Sequence, residues 1–522
     1  MDALQKPENR NRPIDQEMAK AEEVLHKVFG YSEFRNRQRE VVNALLKHQD
    51  VFAMMPTGGG KSLCYQLPGY ILNGLVLIVS PLLSLMEDQA DSLRRLGENK
   101  VRTLNSMLNP EERKRVLSQL RQLRFLFISP EMIRQPRVSR ALEKVPISLF
   151  VVDEAHCISQ WGHEFRPDYL HLAEIRIRLG SPVCLALTAT ADQRVKKDIV
   201  RYLHLESAQQ FLMSVDRPNI SFIVLEAKNS EDKTNQLIEL LGKVEFPGII
   251  YCSGREWSEK LSKDISKRLG FRTAFYHGGM EPEDRRKIQN QFLSGELDIL
   301  CCTNAFGMGI NKADIRVVVH FHYPSTMNAY LQEVGRAARD GGQGLAVLLH
   351  SPADDRLPEA FIDSNYPSPS ILKFALNQLD QGEYQLPKDS ERFIDVIRIM
   401  GAGETAARFI LEQFITKSSG RPVALLYDDC IRLIENRRSV QMKDLARMRS
   451  WISEKGCRRV SCLSYFGEKL ETKPDLCCDR CGAKIGDFLS HQHSALNNSG
   501  IEVDWKKRLD RLLACEKVEP DS

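Results

Sequence analysis

The chain has 522 residues, 42% of them hydrophobic and 27% charged, with a net charge of +4. This length predicts about three domains, and the composition is that of an ordinary globular protein. There is no apolar run of about 18 residues and the first residues are polar, so we expect neither a membrane span nor a signal peptide. Thirteen cysteines, an odd number, argue against a complete disulfide framework and favour the reducing cytoplasm.

Short apolar runs that end in polar residues recur through the first 213 positions. These runs are DVFAMMPTGGGKS, LVLIVSPL, RFLFISPE, SLFVVDEAH and VCLALTATA. Each run is typical of a parallel strand buried on both faces, with helical segments between successive strands. The pattern predicts a first α/β lobe over residues 1–213, with its ligands beyond the carboxyl ends of the strands.

A glycine-rich segment, MPTGGGKS at residues 55–62, follows the first predicted strand. Successive glycines let backbone N–H groups close around phosphate oxygens, and the N-terminus of a following helix adds positive potential. Lys61 is expected to reach the β- and γ-phosphates, and the Ser62 hydroxyl to bind Mg²⁺. The match is a variant, because Met55 stands where the strict pattern has glycine. The predicted nucleotide-binding residues here are Thr57, Gly58, Gly59, Gly60, Lys61 and Ser62.

Two carboxylates end the fourth predicted strand, about ninety positions after the glycine-rich loop. Asp153 at a strand tip is suited to hold the Mg²⁺ shell. Glu154 is then placed to orient and deprotonate the attacking water. The spacing predicts a catalytic pair rather than a surface pair.

A second set of apolar runs predicts another α/β lobe over residues 214–350. The runs are PGIIYCSGR, TAFYHGG, LDILCCTNA, IRVVVHF and GLAVLLH. We expect SVDRPNISF, at 214–222, to connect the lobes because it carries a proline and an asparagine. Near the lobe's end, QEVGRAARDG supplies Gln332 and places Arg336 and Arg339 three apart, on one face of a predicted helix. An arginine brought to the γ-phosphate from another lobe contributes about 10³–10⁵ in rate.

The last third of the chain differs from the two predicted lobes in composition and in its apolar pattern. Proline, serine and aspartate at 351–370 predict a linker, and helical periodicity then continues to about 456. Within it, RIMGAGETAARFILEQF at 398–414 fits either a DNA-binding helix–turn–helix unit or a plain helical hairpin. We therefore predict a linker and helical subdomain at 351–456, a cysteine-containing module at 457–490 and a tail at 491–522.

Together these segments resemble the RecQ family of superfamily 2 helicases. The resemblance covers about residues 20–350 and resumes at 456–481. It implies an α/β fold of two tandem RecA-like lobes, parallel sheets flanked by helices, plus a helical zinc-binding C-terminal subdomain. The tail is too short for the winged-helix and HRDC domains of longer members, as in the shorter bacterial paralogues. The segments that carry the resemblance are MPTGGGKSLCYQLP, SPLLSLMEDQ, DEAHCISQWGHEFRPDY, ALTATA, DRPNI, TNAFGMGINK, QEVGRAARDG and FGYSEFRNRQ (residues 29–38).

The resemblance also assigns residues on either side of the catalytic segments. Tyr31, Arg35 and Gln38 are expected to hold the adenine, and a glutamine amide does pair bidentately with adenine. The segment after Glu154 corresponds to an aromatic-rich loop that contacts single-stranded DNA, where stacking contributes about 1–3 kcal/mol per base. The loop residues so assigned are Trp161, His163, Phe165 and Arg166.

The segment CRRVSCLSYFGEKLETKPDLCCDRC resembles the RecQ zinc module. Cys478 and Cys481 form a C-x-x-C pair and Cys457 precedes them, but a closed structural site needs four ligands. The fourth is expected to be Cys477, with Asp475 and Cys462 as alternatives.

The resemblance implies an ATP-dependent 3′–5′ DNA helicase of recombination and repair that uses ATP, Mg²⁺ and Zn²⁺. We expect a cytoplasmic, nucleoid-associated bacterial monomer that acts on single-stranded and forked or 3′-tailed DNA beside single-strand-binding and recombination proteins. Two alternatives stay open: a DNA-dependent translocase that separates few strands, and a nucleotide-gated binding module without hydrolysis. Phosphate contacts do not choose a sugar, so RNA also remains a candidate substrate.

Overall fold

The computed structural model describes residues 14–159, 166–307, 312–384, 386, 389–417 and 422–489. Two parallel β-sheets flanked by helices form the first two thirds of this part, and a helical region with a cysteine cluster follows. The predicted fold class is confirmed. No helix in the described residues is both long and apolar enough to cross a membrane.

The first sheet contains all five strands predicted for the first lobe, and every pairing in it is parallel. The order across it is β3-β4-β2-β5-β6-β1-β7. Two strands were not predicted, β3 and β7, because their sequences VRTL and QQFL carry few apolar residues. The strands are β1 Val51–Met54, β2 Leu75–Val79, β3 Val101–Leu104, β4 Phe125–Ile128, β5 Ile147–Val152, β6 Cys184–Thr188 and β7 Gln209–Leu212.

Helices cover both faces of this sheet, and its buried strands pack into two apolar clusters. Because β1 and β5 lie on either side of β6, the segments that follow them emerge at one edge of the sheet. The helices are α1 Ile14–Lys27, α2 Gln38–Leu46, α3 Leu63–Gln66, α4 Leu83–Arg95, α5 Pro110–Gln119, α6 Pro130–Ile133, α7 Pro136–Leu142, α8 Leu172–Arg178 and α9 Gln193–Tyr202.

The second sheet is also parallel, in the order β10-β11-β9-β12-β13-β8. The expectation that all of 214–222 is a connector is wrong: its last three residues begin β8, because Ile220 and Phe222 are buried in the core. The strands are β8 Ile220–Glu226, β9 Gly248–Tyr251, β10 Thr273–Tyr276, β11 Ile299–Cys302, β12 Val317–His320 and β13 Gly344–His350. The helices are α10 Ser230–Leu241, α11 Arg255–Leu269, α12 Pro282–Leu293 and α13 Met327–Val334.

The predicted linker at 351–370 is largely helical instead. A 3-10 turn at Pro352–Asp355 leads into α14, Arg356–Ser364, which packs on the long helix α18, Val423–Ile452. The turn is anchored by Asp354, whose carboxylate pairs at 2.7 Å with the fully buried Lys233. The remaining helices are α15 Pro369–Asp380, α16 Ser390–Ile399, α17 Glu404–Lys417 and α19 Arg458–Tyr465.

Candidate active site and cysteine cluster

The glycine-rich loop closes directly after β1. Gly58 and Gly60 adopt the left-handed conformation, with φ of 84° and 76°, which favours glycine. A Cβ on Gly60 would lie 2.1 Å from Nε2 of Gln38, so that approach also requires glycine. The helix expected after the loop is short: α3 ends at Gln66 and a 3-10 turn begins at Pro68, because proline cannot continue the hydrogen-bond ladder.

Of the three residues assigned to the adenine, Gln38 contacts this loop. Tyr31 is about half exposed, and the Arg35 guanidinium lies 5.8 Å from its ring centroid. Gln38 is buried, and both ends of its amide are engaged: Nε2 donates to Gly60 O at 3.1 Å and Oε1 accepts from Arg35 N at 2.9 Å. Gln38 must therefore exchange or share these partners to pair with a base.

The acidic residues lie opposite the loop lysine. Glu154 Oε1 lies 3.6 Å from Lys61 Nζ, and both side chains are largely buried. Asp153 Oδ1 accepts a 3.0 Å hydrogen bond from the backbone N–H of Glu154, which itself has a left-handed φ of 46°. Such conformations in a non-glycine residue concentrate at functional sites. The structure thus brings the predicted lysine and both carboxylates together.

Burial, followed by the charge of Glu154, raises the pKa of Asp153 to about 7. A carboxyl that is costly to ionise in isolation is suited to a site where a divalent cation supplies the compensating charge. The donor set therefore fits Mg²⁺, which prefers carboxylate and hydroxyl oxygens. Asp153 and Ser62 remain the residues predicted to hold it.

We call residues 153–154 the acidic turn. Two further side chains contact it, and neither contact was predicted from the sequence. The Tyr169 hydroxyl donates to Asp153 O at 2.9 Å, and Tyr169 is fully buried. His156 Nδ1 lies 2.9 Å from the Thr188 hydroxyl and 3.4 Å from Glu154 Oε2. Tyr169, an aromatic close after the carboxylates, is therefore a core residue rather than a stacking platform.

The other aromatic-rich positions fall outside the described residues: Trp161, His163 and Phe165 lie in the gap at 160–165. Arg166 is described and is partly buried, and its backbone N–H donates to Cys157 O at 2.9 Å. The assignment of these four residues to DNA stays a prediction.

The expectation that Arg336 and Arg339 share one helical face is wrong. Helix α13 ends at Val334, and the following turn contains Ala338 with a left-handed φ of 47°. We call residues 335–342 the arginine turn. Its backbone carbonyls accept hydrogen bonds from side chains outside it, which removes the need for a continued helix.

The side chains of Arg336 and Arg339 contact different parts of the molecule. The side chain of Arg339 lies against the glycine-rich loop, since a Cβ built on Gly58 would meet its Cγ at 3.1 Å. Burial and the charges of Arg336 and Arg217 lower the pKa of Arg339 to about 9. Gln332 and Arg336 instead line a cavity of ≈ 410 Å³ at the carboxyl ends of the second sheet's strands. Positive charge concentrated beside the loop suits a polyphosphate anion.

Sequence reasoning missed one residue that joins both sides of the site. Arg217 Nη1 donates to Thr57 O of the loop at 3.1 Å and to Gly335 O of the arginine turn at 3.2 Å. Its Nη2 donates to Ala337 O at 3.1 Å and Ala338 O at 2.8 Å. The only signal was a charged residue before a proline in DRPNI, which favours a connector equally well.

The predicted zinc ligands form one cluster. The Sγ atoms of the four cysteines all lie within 4.8 Å of one another, and those of Cys457 and Cys477 are 3.6 Å apart. Tetrahedral zinc with bonds of about 2.3 Å requires sulfur separations of roughly 3.8 Å, so the thiols fit that ion. Among the described residues, neither Asp475 nor Cys462 belongs to the cluster. The four are Cys457, Cys477, Cys478 and Cys481.

Family models match three parts of the chain. Residues 35–199 match the DEAD/DEAH box helicase family, 232–341 the helicase conserved C-terminal domain and 409–482 the RecQ zinc-binding family. The first two ranges contain the glycine-rich loop, the acidic pair and most of the arginine turn. The third contains the cysteine cluster.

Two curated relatives are similar to this chain, and the first of them at a level that shows family membership. The "probable ATP-dependent DNA helicase RecS" of Bacillus subtilis is 42% identical over 505 residues, which are 96% of this chain and 99% of that protein. The "ATP-dependent DNA helicase RecQ" of Haemophilus influenzae is 41% identical over 63% of this chain and 53% of its own length. The chain therefore spans about half of that longer relative.

Solved structures support the fold alone. The crystal structure of the DUF1998 helicase MrfA bound to DNA aligns with a TM-score of 0.54 at 22% identity, covering 68% of this chain and 54% of that one. The Mycobacterium smegmatis helicase Lhr aligns with a TM-score of 0.53 at 17% identity, covering 78% and 58%.

Proposed function

Because this chain belongs to the RecQ family of ATP-dependent DNA helicases, we propose that it moves 3′ to 5′ along single-stranded DNA and separates the duplex ahead. It is an ATP-hydrolysing enzyme that uses Mg²⁺ and carries a zinc module. One observation carries the proposed motor: Arg339, from the arginine turn of the second lobe, lies against Gly58 of the glycine-rich loop, which we also call the nucleotide loop. Hydrolysis at such a seam links the chemistry to motion between lobes.

Each residue of the nucleotide site has a separate role in ATP hydrolysis. Lys61 binds the β- and γ-phosphates, and Ser62 and Asp153 would hold Mg²⁺, which would supply positive charge to the phosphate oxygens. Glu154, 3.6 Å from the Lys61 ammonium, orients the attacking water toward the γ-phosphorus and accepts a proton from that water. Arg339 stabilises the charge that develops on the transferred phosphoryl group.

The segment that follows Glu154 couples ATP hydrolysis to DNA binding. The chain runs from Glu154 directly into the positions assigned to DNA, and this continuity supports coupling between the two carboxylates and DNA binding. Arg166 is tied to Cys157, three residues after Glu154, by a backbone hydrogen bond of 2.9 Å. Base stacking on such a loop is independent of sequence, as recombination and repair substrates require.

The finer assignments follow from the family rather than from geometry. We place the protein in the bacterial cytoplasm at the nucleoid, acting as a monomer on single-stranded and forked or 3′-tailed DNA. Single-strand-binding and recombination proteins are its proposed partners.

A tailed-duplex assay tests this function. With ATP and Mg²⁺, fluorophore-labelled strands are expected to be released from 3′-tailed duplexes and not from 5′-tailed ones, because the motor loads on the single strand and advances in one direction. Lys61→Ala, which removes the phosphate-binding ammonium, is the control and should release neither. Preference for the 5′ tail contradicts the polarity, and ATP-driven movement without strand release contradicts the helicase assignment.

A further inference from the structure

The arginine turn leaves helix α13 with carbonyls that a continuing helix would have paired. Arg217 donates to three of them, at Gly335, Ala337 and Ala338, over distances of 2.8–3.2 Å. Asn219 adds Nδ2 hydrogen bonds to Ala338 O at 3.0 Å and to Gly342 O at 2.7 Å. The left-handed Ala338 is thus held by side chains from the segment before β8. These bonds set the backbone that carries Arg336 and Arg339.

The same guanidinium crosses to the nucleotide loop. Its Nη1 donates to Thr57 O at 3.1 Å, and Thr57 also lies close to the turn, since a Cβ on Gly335 would meet the Thr57 Cβ at 3.4 Å. Burial lowers the pKa of Arg217, which the charge of Asp340 only partly offsets. Burying a guanidinium against four neutral carbonyls costs folding free energy. A role in ordering the catalytic site accounts for a contact with this cost.

The cysteine-cluster module, residues 457–489, holds the segment that carries Arg217. Arg459 is fully buried, pairs with the Asp216 carboxylate, and donates to Arg217 O at 3.0 Å. Its guanidinium also contacts the thiol of Cys477. The Glu468 carboxylate accepts from the Ser214 hydroxyl at 2.5 Å.

The module also meets the edge strand of the second sheet. Phe222 in β8 forms a parallel bridge with Cys478, and its N–H donates to Cys477 O at 3.3 Å. A short continuous path of contacts therefore runs from the cysteine cluster, through Arg459 and residues 216–217, to the loop and the arginine turn.

We propose that Arg217 is a positioning residue for ATP hydrolysis, which holds the arginine turn in register with the nucleotide loop and is itself braced by the cysteine-cluster module. The proposal rests on the ATPase activity proposed above. Within the part of the chain that the structure describes, the hydrogen bonds of Arg217 go to backbone carbonyls, so it acts through the arginine turn and its Arg339 rather than on the phosphates. The module thereby contributes to catalysis from outside the nucleotide site.

A double-mutant cycle tests this role. Arg217→Ala is expected to lower kcat on the order of 10²-fold, because a small misplacement of a catalytic group has that effect, with KM for ATP changed less than about threefold. In an Arg339→Ala background, Arg217→Ala should cost less than about threefold more, since its effect passes through the missing group. Steady-state hydrolysis over a range of ATP concentrations, with saturating single-stranded DNA, gives kcat and KM for all four proteins.

Other outcomes overturn the proposal. Additive losses in the double variant mean that Arg217 acts independently of the turn, and an unchanged kcat in Arg217→Ala means that it positions nothing. Wild-type protein that hydrolyses no ATP defeats the proposed function instead, which separates the two failures.

The controls separate positioning from folding. Arg449→Ala is matched, because Arg449 also donates to a backbone carbonyl, Asp355 O, and pairs with Glu359 at 2.7 Å. It should keep wild-type kcat, and both variants should keep the wild-type zinc content and thermal midpoint. If Arg217→Ala does not fold, Arg217→Lys replaces it: one ammonium cannot span the four carbonyls, so kcat must still fall at constant KM, and a wild-type kcat overturns the proposal.

Discussion

Replacing Arg339 with alanine is expected to slow ATP hydrolysis by about 10³–10⁵-fold, the range of an arginine that stabilises phosphoryl-transfer charge. The side chain lies against Gly58 of the nucleotide loop. Burial and two neighbouring arginines lower the pKa of Arg339 to about 9, so a bound anion that compensates its charge is strongly favoured at this position. ATP binding should change little, because the loop and Lys61 remain. Phosphate release and binding of a fluorescent nucleotide measure the two effects separately.

Two further variants sharpen this result. Arg339→Lys retains a positive charge but lacks the planar fork, so it should recover only part of the rate. Arg272→Ala removes an arginine of the same lobe whose partner is Asp298 at the surface, and it should leave hydrolysis unchanged. A loss below about tenfold in Arg339→Ala, or a loss of binding equal to the loss of rate, contradicts the role of Arg339 in the transition state.

Replacing Cys478 with serine is expected to remove the bound zinc and detach the module from the second sheet. A structural zinc site contributes folding free energy directly, roughly 10–16 kcal/mol of apparent binding in small zinc fingers. The backbone of Cys478 forms a β-bridge with Phe222 in β8, so unfolding of the module after the loss of zinc is expected to expose this sheet edge and to lower the thermal midpoint. Metal analysis of the purified variant and a thermal melt measure both effects.

The alternative ligands supply matched controls for zinc. Cys462 is buried and Asp475 is exposed, and neither belongs to the four-thiol cluster. Cys462→Ala and Asp475→Ala should each retain one zinc per chain, even if burial makes the first less stable. Zinc retained by Cys478→Ser, or lost from Asp475→Ala, would contradict the predicted set.

Strong apolar runs made most of the fold predictable. Every run chosen as a strand is one, because segments such as FLFI and VVVH are buried on both faces and tolerate no other placement. Strand β3, with Arg102 and Thr103, lies at the edge of its sheet and needs fewer apolar residues, so the pattern gave no signal. The helix in 351–370 was not predicted for a similar reason. The turn before it is anchored by the buried Lys233–Asp354 pair, whose residues lie more than a hundred positions apart in the chain.

The site was predictable where function depends on local sequence. Lys61, Asp153 and Glu154 follow strands and need only their spacing. The arginine turn does not: a helix pattern runs straight through QEVGRAARDG, and the chain leaves it because Arg217 and Asn219, more than a hundred positions earlier, satisfy its carbonyls. Arg217 was not identified as a site residue, since its hydrogen-bond partners are backbone atoms and carry no sequence signature.

The most direct test of the motor compares ATP hydrolysis by the purified protein with and without single-stranded DNA. A nucleotide site formed between two lobes, with the residues assigned to DNA following its acidic turn in the chain, predicts a rate that rises severalfold or more when the oligonucleotide is added. An equal rate in both samples would contradict it, because hydrolysis would then proceed without reference to the strand that it is meant to move.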